Sequence, residues 1–145
     1  LGQYMALATH LTLELVTPDR PVVHESVDEI QIPGSEGYLG ILPGHTPLLT
    51  SLQVGELWFR QGDETSYVSV AFGFAEILPD RVTILAQIAE RAEDIDTERA
   101  QEAERRARER LTESVEDVDL ERARVAELKS LVRLRVASKT GPRSV

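Results

Sequence analysis

The chain has 145 residues, 41% of them hydrophobic, and a formal net charge of -9. That length holds one ordinary domain, or a small one with an appendage, and the acidic balance speaks against a general nucleic-acid binder. There is no cysteine and no run of 18 apolar residues, which excludes disulfides, cysteine-ligated zinc, thiol chemistry and a membrane-spanning helix.

The first ninety residues read as β-structure. His10 to Val16 alternates apolar and polar residues with period 2, and Val27 to Ile32 does so less regularly. Further strands are expected at Leu48 to Leu52, Glu56 to Arg60, Ser66 to Phe72, Phe74 to Leu78 and Val82 to Ile88. Turn signals fall between them at Pro18-Asp19, Pro33-Gly34, Pro43-Gly44, Gly62-Asp63 and Pro79-Asp80, the last two as hairpin loops. Short strands at this spacing predict a sandwich or barrel. No signal- or transit-peptide pattern opens the sequence, and Leu1 to Tyr4, which precede the first methionine, receive no role.

After Ala89 the period changes. No glycine lies between Gly73 and Gly141 and no proline between Pro79 and Pro142, while Ala, Glu and Arg dominate. Asp96 is placed to cap a helix running to about Leu111, Thr112 to Asp117 reads as a turn, and Asp119 is placed to cap a second helix running to about Ala137. The two helices repeat each other: Ile95 to Ala100 corresponds to Val118 to Ala123. Ala100, Ala103 and Ala107 share one helical face, as do Ala123, Ala126 and Ser130. Small residues at that spacing let two helices approach closely as an antiparallel hairpin. The seam buries little apolar area, so the hairpin is either a rigid appendage or one able to open. The expected architecture is therefore α+β by segment: an antiparallel β-sandwich over residues 1–89, then a two-helix hairpin over residues 90–145.

Charge follows the same division. Up to Ala89 there are three arginines and eleven acids, a net of -8; residues 90–121 have a net of -7, and residues 122–145 a net of +6. A basic end on an acidic chain either solvates its segment or serves a contact.

Catalytic signatures are missing. Gly34 to Gly40 is glycine-rich but has no lysine and precedes no helix, so its glycines suit turns and close packing. The three histidines have no metal-ligand spacing, and Ser35 has no nucleophile context. No catalytic or metal-binding residue is assigned. Arg99 and Arg122 stand out because, with Asp96 and Asp119 as caps, both fall in a first turn, where a cation opposes the helix dipole. Each then needs an anionic partner, either a carboxylate such as Glu102 or a phosphate.

The segment Pro33-Gly-Ser-Glu-Gly-Tyr-Leu-Gly-Ile-Leu-Pro-Gly-His-Thr-Pro-Leu-Leu49 resembles the epsilon subunit of bacterial and plastid F-type ATP synthases. Val16 to Pro18, Phe72 to Ile77, Val82 to Ala86 and Ile95 to Ala100 match that family in order and spacing, so the resemblance runs from about Leu11 to Val136. It implies a non-catalytic rotor subunit of the central stalk, bound to the gamma subunit and the ring of c subunits, with no nucleic-acid partner and no membrane insertion of its own. It also implies a peripheral place on the cytoplasmic face of the bacterial inner membrane, or on the stromal face of the thylakoid. The ring-facing segment maps onto Tyr38 through His45, with Tyr38, Leu39, Gly40 and His45 as docking residues. Tyr38 stands where relatives are often acidic.

The resemblance further implies that the C-terminal helices extend towards the catalytic alpha and beta subunits and inhibit ATP hydrolysis. Arg122, Lys129, Arg133 and Arg135 would supply the inhibitory charge, lying against the acidic first helix when folded back. No cofactor is required, but ATP is a regulatory ligand in some relatives. Its binding positions map onto Glu90, Arg91, Ile95, Asp96, Arg99, Arg106 and Arg133, with Lys129 where the responsive relatives carry arginine.

Overall fold

The computed structural model describes residues 9–113 and 117–140. Seven strands come first: β1 (Leu11–Val16), β2 (Pro21–Val27), β3 (Glu29–Gly34), β4 (Gly37–Ile41), β5 (Leu48–Gln61), β6 (Glu64–Ile77) and β7 (Arg81–Arg91). Two helices follow, α1 (Thr97–Glu113) and α2 (Asp117–Ala137), with short 3-10 turns at Ala92–Asp94 and Ser138–Thr140. The strands form one mixed sheet in the order β2-β1-β7-β6-β5-β3-β4. It folds over as a sandwich around a core that includes Leu13, Leu15, Ile30, Ile32, Leu57, Phe59, Val68 and Ile84.

Three departures from the sequence expectation have physical causes. The sandwich is not wholly antiparallel: β1 runs parallel to β7, with Thr12 opposite Arg81 and Val16 opposite Leu85. Hairpins enforce antiparallel pairing only between neighbours in sequence, and β1 and β7 are the first and last strands. Strands β2 and β4 were not expected, because one opens with proline and the other holds two glycines. Both are sheet edges, where poor strand formers are tolerated because one side makes no ladder bonds.

The third departure concerns length. Leu48 to Leu52 and Glu56 to Arg60 are one strand, as are Ser66 to Phe72 and Phe74 to Leu78 up to Ile77. The alternation breaks because the strands bend, not because they end. Core-facing residues change parity between Leu52 and Leu57 in β5, between Val70 and Ala75 in β6, and between Ala86 and Ala89 in β7. Ladder pairing brackets this level on both sides, with Leu52 opposite Gly73, Val54 opposite Ala71, Gly73 opposite Ala86 and Ala71 opposite Ile88. Phe72 has φ 61° and Gly73 has φ 128°. Two successive left-handed residues turn the strand and exchange its inner and outer faces. A Cβ on Gly73 would lie 2.0 Å from the Leu85 carbonyl oxygen and 2.8 Å from the Ala86 Cα, so no other residue fits there.

The hairpin loops at Gly62-Asp63 and Pro79-Asp80 form as expected: Gln61 pairs with Glu64 and Ile77 with Val82. The Arg99 N–H donates to the Asp96 side chain at 3.1 Å, which makes Asp96 the cap of α1. The second cap differs. Helix α2 is already formed at Asp117, so Asp119 lies inside it and Arg122 is beyond the first turn; the argument that Arg122 opposes the helix dipole falls away. The residues 114–116 of the expected turn lie outside the described residues. Ala100 and Ala107 are buried, as are Ala123 and Ser130, so the small-residue seam does join the helices.

Where β2 crosses over to β3, Asp28 gathers the corner. Its carboxylate accepts from the Gly62 N–H at 2.7 Å, and His10 Nδ1 and Arg60 Nη1 lie 3.3 and 3.7 Å away. The Gly62 hydrogen bond, helped by His10 and Arg60, holds the Asp28 carboxyl below its ordinary value. A carboxylate with a lowered folded pKa stabilises above its unfolded value, about 4, and loses that contribution as pH falls through the folded value. The stability difference between the native chain and Asp28→Asn is therefore expected to stay constant above about pH 5 and to shrink below about pH 4 in urea titrations. Gly73→Ala is expected to lower stability by about 3 kcal/mol or more, from left-handed strain plus a backbone clash, measured by the same titration at neutral pH.

Candidate functional site

The exchange of faces leaves Val54, Glu56, Tyr67, Ser69, Ala71, Ile88 and Glu90 on the outer surface of one half of the sandwich, and the hairpin seats there. Ala92, Ile95, Val132, Val136 and Ala137 form a second apolar cluster against Val54 and Tyr67. Charged contacts surround it. Arg133 donates from Nε and Nη2 to the Glu90 carboxylate, at 2.6 and 3.3 Å. The Lys139 ammonium lies 3.8 Å from Glu56 Oε1 and 5.0 Å from the centre of the Tyr67 ring. The Lys129 ammonium lies 5.4 Å from the centre of the Phe72 ring.

This seating is modest. Three branched side chains contribute roughly 2 kcal/mol each by burial, and each ammonium–ring contact about 0.5–1 kcal/mol. Ordering several long side chains offsets part of that. A cavity of about 270 Å³ also remains between hairpin and sheet, lined by Ala103 and Ala126 of the two helices, Val54, Ile88, Glu90, Lys129 and Arg133 among others.

Of the residues mapped to ATP, Glu90 and Arg133 are joined side chain to side chain, and the Arg99 N–H meets the Asp96 carboxylate. Arg91 reaches Glu25 and Glu93 and lies over the Phe59 ring. Ile95 is in the seating cluster, and Asp96 is the α1 cap. Arg106 lies beside Glu102, 3.9 Å away, on the exposed side of α1. Arg99 is exposed, and Glu102 pairs with Arg105 and Arg106 rather than with it.

The four α2 bases assigned to inhibition also divide. Lys129 and Arg133 face the sheet, whereas Arg122 and Arg135 are exposed. Among the described residues no ion pair joins α2 to α1. The acids of α1 pair within their own helix, as in Glu104 with Arg108 and Glu109 with Arg105. The expected resting place of the basic helix against acidic α1 is thus replaced by the sheet carboxylates Glu90 and Glu56. Pairs at i,i+4 form within a helix without bringing two elements together, so α1 neutralises its own acids.

At the far end of the sandwich, Tyr38, Leu39 and Gly40 belong to edge strand β4, and His45 to the loop after it. Tyr38 is more than half exposed, yet its hydroxyl accepts from the Glu56 N–H at 3.3 Å. Its ring reaches across Pro33 to Gly55, where a Cβ would lie 2.9 Å from the hydroxyl. Leu39 packs partly against the core, and Ile41 is fully buried. The His45 ring is fixed by the Thr46 carbonyl at 2.6 Å. Leu42, Leu48 and Leu49 are exposed beside them, Leu49 by 71%. Sequence reasoning included Leu42 in the ring-facing segment but missed Leu48 and Leu49, although two adjacent residues on one strand cannot both face inward. It also missed Phe74 and Leu85, a directly opposed pair on β6 and β7 that is exposed on the half the hairpin leaves bare.

Among the described residues no group of acids and histidines could hold a metal ion, and no helix is long and apolar enough to cross a membrane. Residues 10–92 match the model of the ATP synthase delta/epsilon chain β-sandwich domain, and residues 93–138 that of its long α-helix domain. The ATP synthase epsilon chain of Koribacter versatilis is 55% identical over 105 residues, covering 72% of this chain and 74% of that one. That of Syntrophobacter fumaroxidans is 46% identical over 134 residues, covering 92% and 100%. A solved structure of the Euglena gracilis mitochondrial ATP synthase, comprising OSCP, F1 and the c-ring, contains a chain similar to this one with a TM-score of 0.77 at 26% identity, covering 91% of this chain and 83% of that one. On these matches the chain belongs to the ATP synthase epsilon-chain family and is a non-catalytic subunit of that kind of complex.

Proposed function

We propose that the chain is a central-stalk rotor subunit of an F-type ATP synthase. In this reading its sandwich bridges the gamma subunit and the c-ring, and its hairpin restrains ATP hydrolysis by leaving the sheet. The observation that carries the regulatory part is the modest seating of the hairpin: a small apolar cluster, a partly open cavity and a ring of charges, set on a sandwich with a complete core of its own. An element held by a few kcal/mol exchanges between seated and released states, and partners that bind one state set the populations. The mechanical part is supported by Leu42, Leu48, Leu49 and Tyr38, exposed on a strand end and a proline-held loop as a stiff apolar surface for the ring. The bare pair Phe74 and Leu85 offers a second surface, for gamma. The location that follows is peripheral, on the cytoplasmic side of a bacterial inner membrane.

Removing residues 91–145 is expected to raise the ATPase rate of the assembled complex without loss of assembly, and an unchanged rate would rule out inhibition by the hairpin. The bases of α2 are expected to act with opposite signs. Arg122→Ala with Arg135→Ala removes exposed charge available only to an acidic partner, so the rate rises severalfold; Arg133→Ala frees Glu90 and releases the hairpin, so the rate falls. Equal effects of both changes, at equal occupancy of the subunit, would defeat this division of roles. For the ring surface, Leu49→Ser is expected to weaken retention of the c-ring in pull-downs while changing chain stability by less than about 0.5 kcal/mol, because the side chain is already exposed.

A further inference from the structure

The chain carries sixteen basic side chains, and only Lys129 and Lys139 are lysines. Both fall in the last quarter of the sequence, on α2 and on the turn that ends it. Both set their ammonium over an aromatic ring of β6: Lys129 over Phe72 at 5.4 Å and Lys139 over Tyr67 at 5.0 Å. Everywhere else the chain uses arginine. The two cations differ in one chemical respect that matters here: a guanidinium keeps its charge, whereas an amine loses it on acylation.

The surroundings make that loss consequential. Glu56 Oε1 is buried without a hydrogen bond, and Lys139 is its ion-pair partner, 3.8 Å away. Phe72 is held at φ 61°, a conformation that disfavours a bulky side chain, and its ring carries Lys129. Neutralising Lys139 leaves a buried carboxylate oxygen uncompensated, which hydration relieves only once the hairpin lifts. Neutralising Lys129 removes the charge that the Phe72 ring attracts.

We propose that Lys129 and Lys139 are acylation sites at which loss of the ammonium charge releases the helical hairpin from the β-sandwich. The donor is an acyl phosphate. In the released state both amines are free, and the lone pair of the unprotonated Nζ attacks the carbonyl carbon. The N–C bond forms as the C–O bond to phosphate breaks; phosphate leaves with the electron pair, and the nitrogen's proton passes to water. The product is a neutral amide, which cannot re-form the ring contacts or compensate Glu56. This inference rests on the reading of the hairpin as a movable element, but it is tested on the isolated chain, so hairpin release and ATPase inhibition succeed or fail separately.

The full chain has no cysteine, so spin labels at Glu64→Cys and Leu128→Cys report the seated and released populations without interference. Each exposed ammonium–ring contact weights that equilibrium by roughly two- to fivefold. Acetylation of both lysines with acetyl phosphate, verified by mass spectrometry, is expected to lower the seated-to-released ratio by at least about fivefold. Reductive methylation, which keeps the charge, should leave the ratio within about twofold. The doubly substituted Lys129→Arg, Lys139→Arg chain should seat normally and ignore acetyl phosphate, and Phe72→Gly should match the effect of acetylating Lys129 alone. The proposal is overturned if doubly acetylated chain stays seated, if methylation releases the hairpin as much as acetylation, if the arginine variant responds to acetyl phosphate, or if the lysines resist a donor that acetylates the amino terminus.

Discussion

Everything distinctive in this molecule follows from one level of the sheet, bracketed by the pairs Leu52–Gly73 and Val54–Ala71 and by Gly73–Ala86 and Ala71–Ile88, where the three central strands exchange their inner and outer faces. The exchange needs Gly73, because β7 runs so close that the carbonyl of Leu85 occupies the space of a side chain. On one side of that level the outer surface carries Val54, Tyr67 and Ile88 and receives the hairpin. On the other it carries Phe74 and Leu85 and stays open. A single bend thus divides one sheet into a surface that carries the chain's own helices and a surface left bare. A substitution that straightened the bend would disturb both at once.

The hairpin illustrates how small residues let two helices approach closely while burying little apolar area. Alanines at the α1–α2 seam let the helices touch but bury little area, and α1 settles its charges internally, so the pair is self-contained. Among the described residues the apolar cluster and the ion pairs that meet the sheet come from α2 and the turns at either end of the hairpin. Their contacts are a few aliphatic side chains plus the paired charges of Arg133 with Glu90 and Lys139 with Glu56. Releasing such an arrangement would break no contact within it.

Much of this was readable in the residues. The change of period near Ala89, the Asp96 cap, the two hairpin loops and the small-residue seam are local features, and local features survive in a sequence. What escaped was whatever depends on residues far apart. The strands read as broken at Gln53 to Gly55 and at Phe72-Gly73 because alternation presumes a straight strand, and these bend. The parallel β1–β7 pair leaves no local trace. Charge composition pointed to α1 as the partner of basic α2, but composition does not know that Glu102, Glu104 and Glu109 each have an arginine three or four residues away. The segment from Tyr38 to His45 was legible through its resemblance, whereas Leu48 and Leu49 read only as the start of a strand until burial showed them exposed.

The parallel pairing of β1 with β7 bears on how the chain is made. Thr12 cannot find Arg81 until nearly the whole sandwich has emerged from the ribosome, so the first strand must wait for the last. During synthesis Leu11, Leu13 and Leu15 have only β2 beside them and remain exposed to other chains. The helices are translated after the sandwich strands. By the time α2 can seat, the surface that receives it already exists, so the order of synthesis favours a hairpin that closes last.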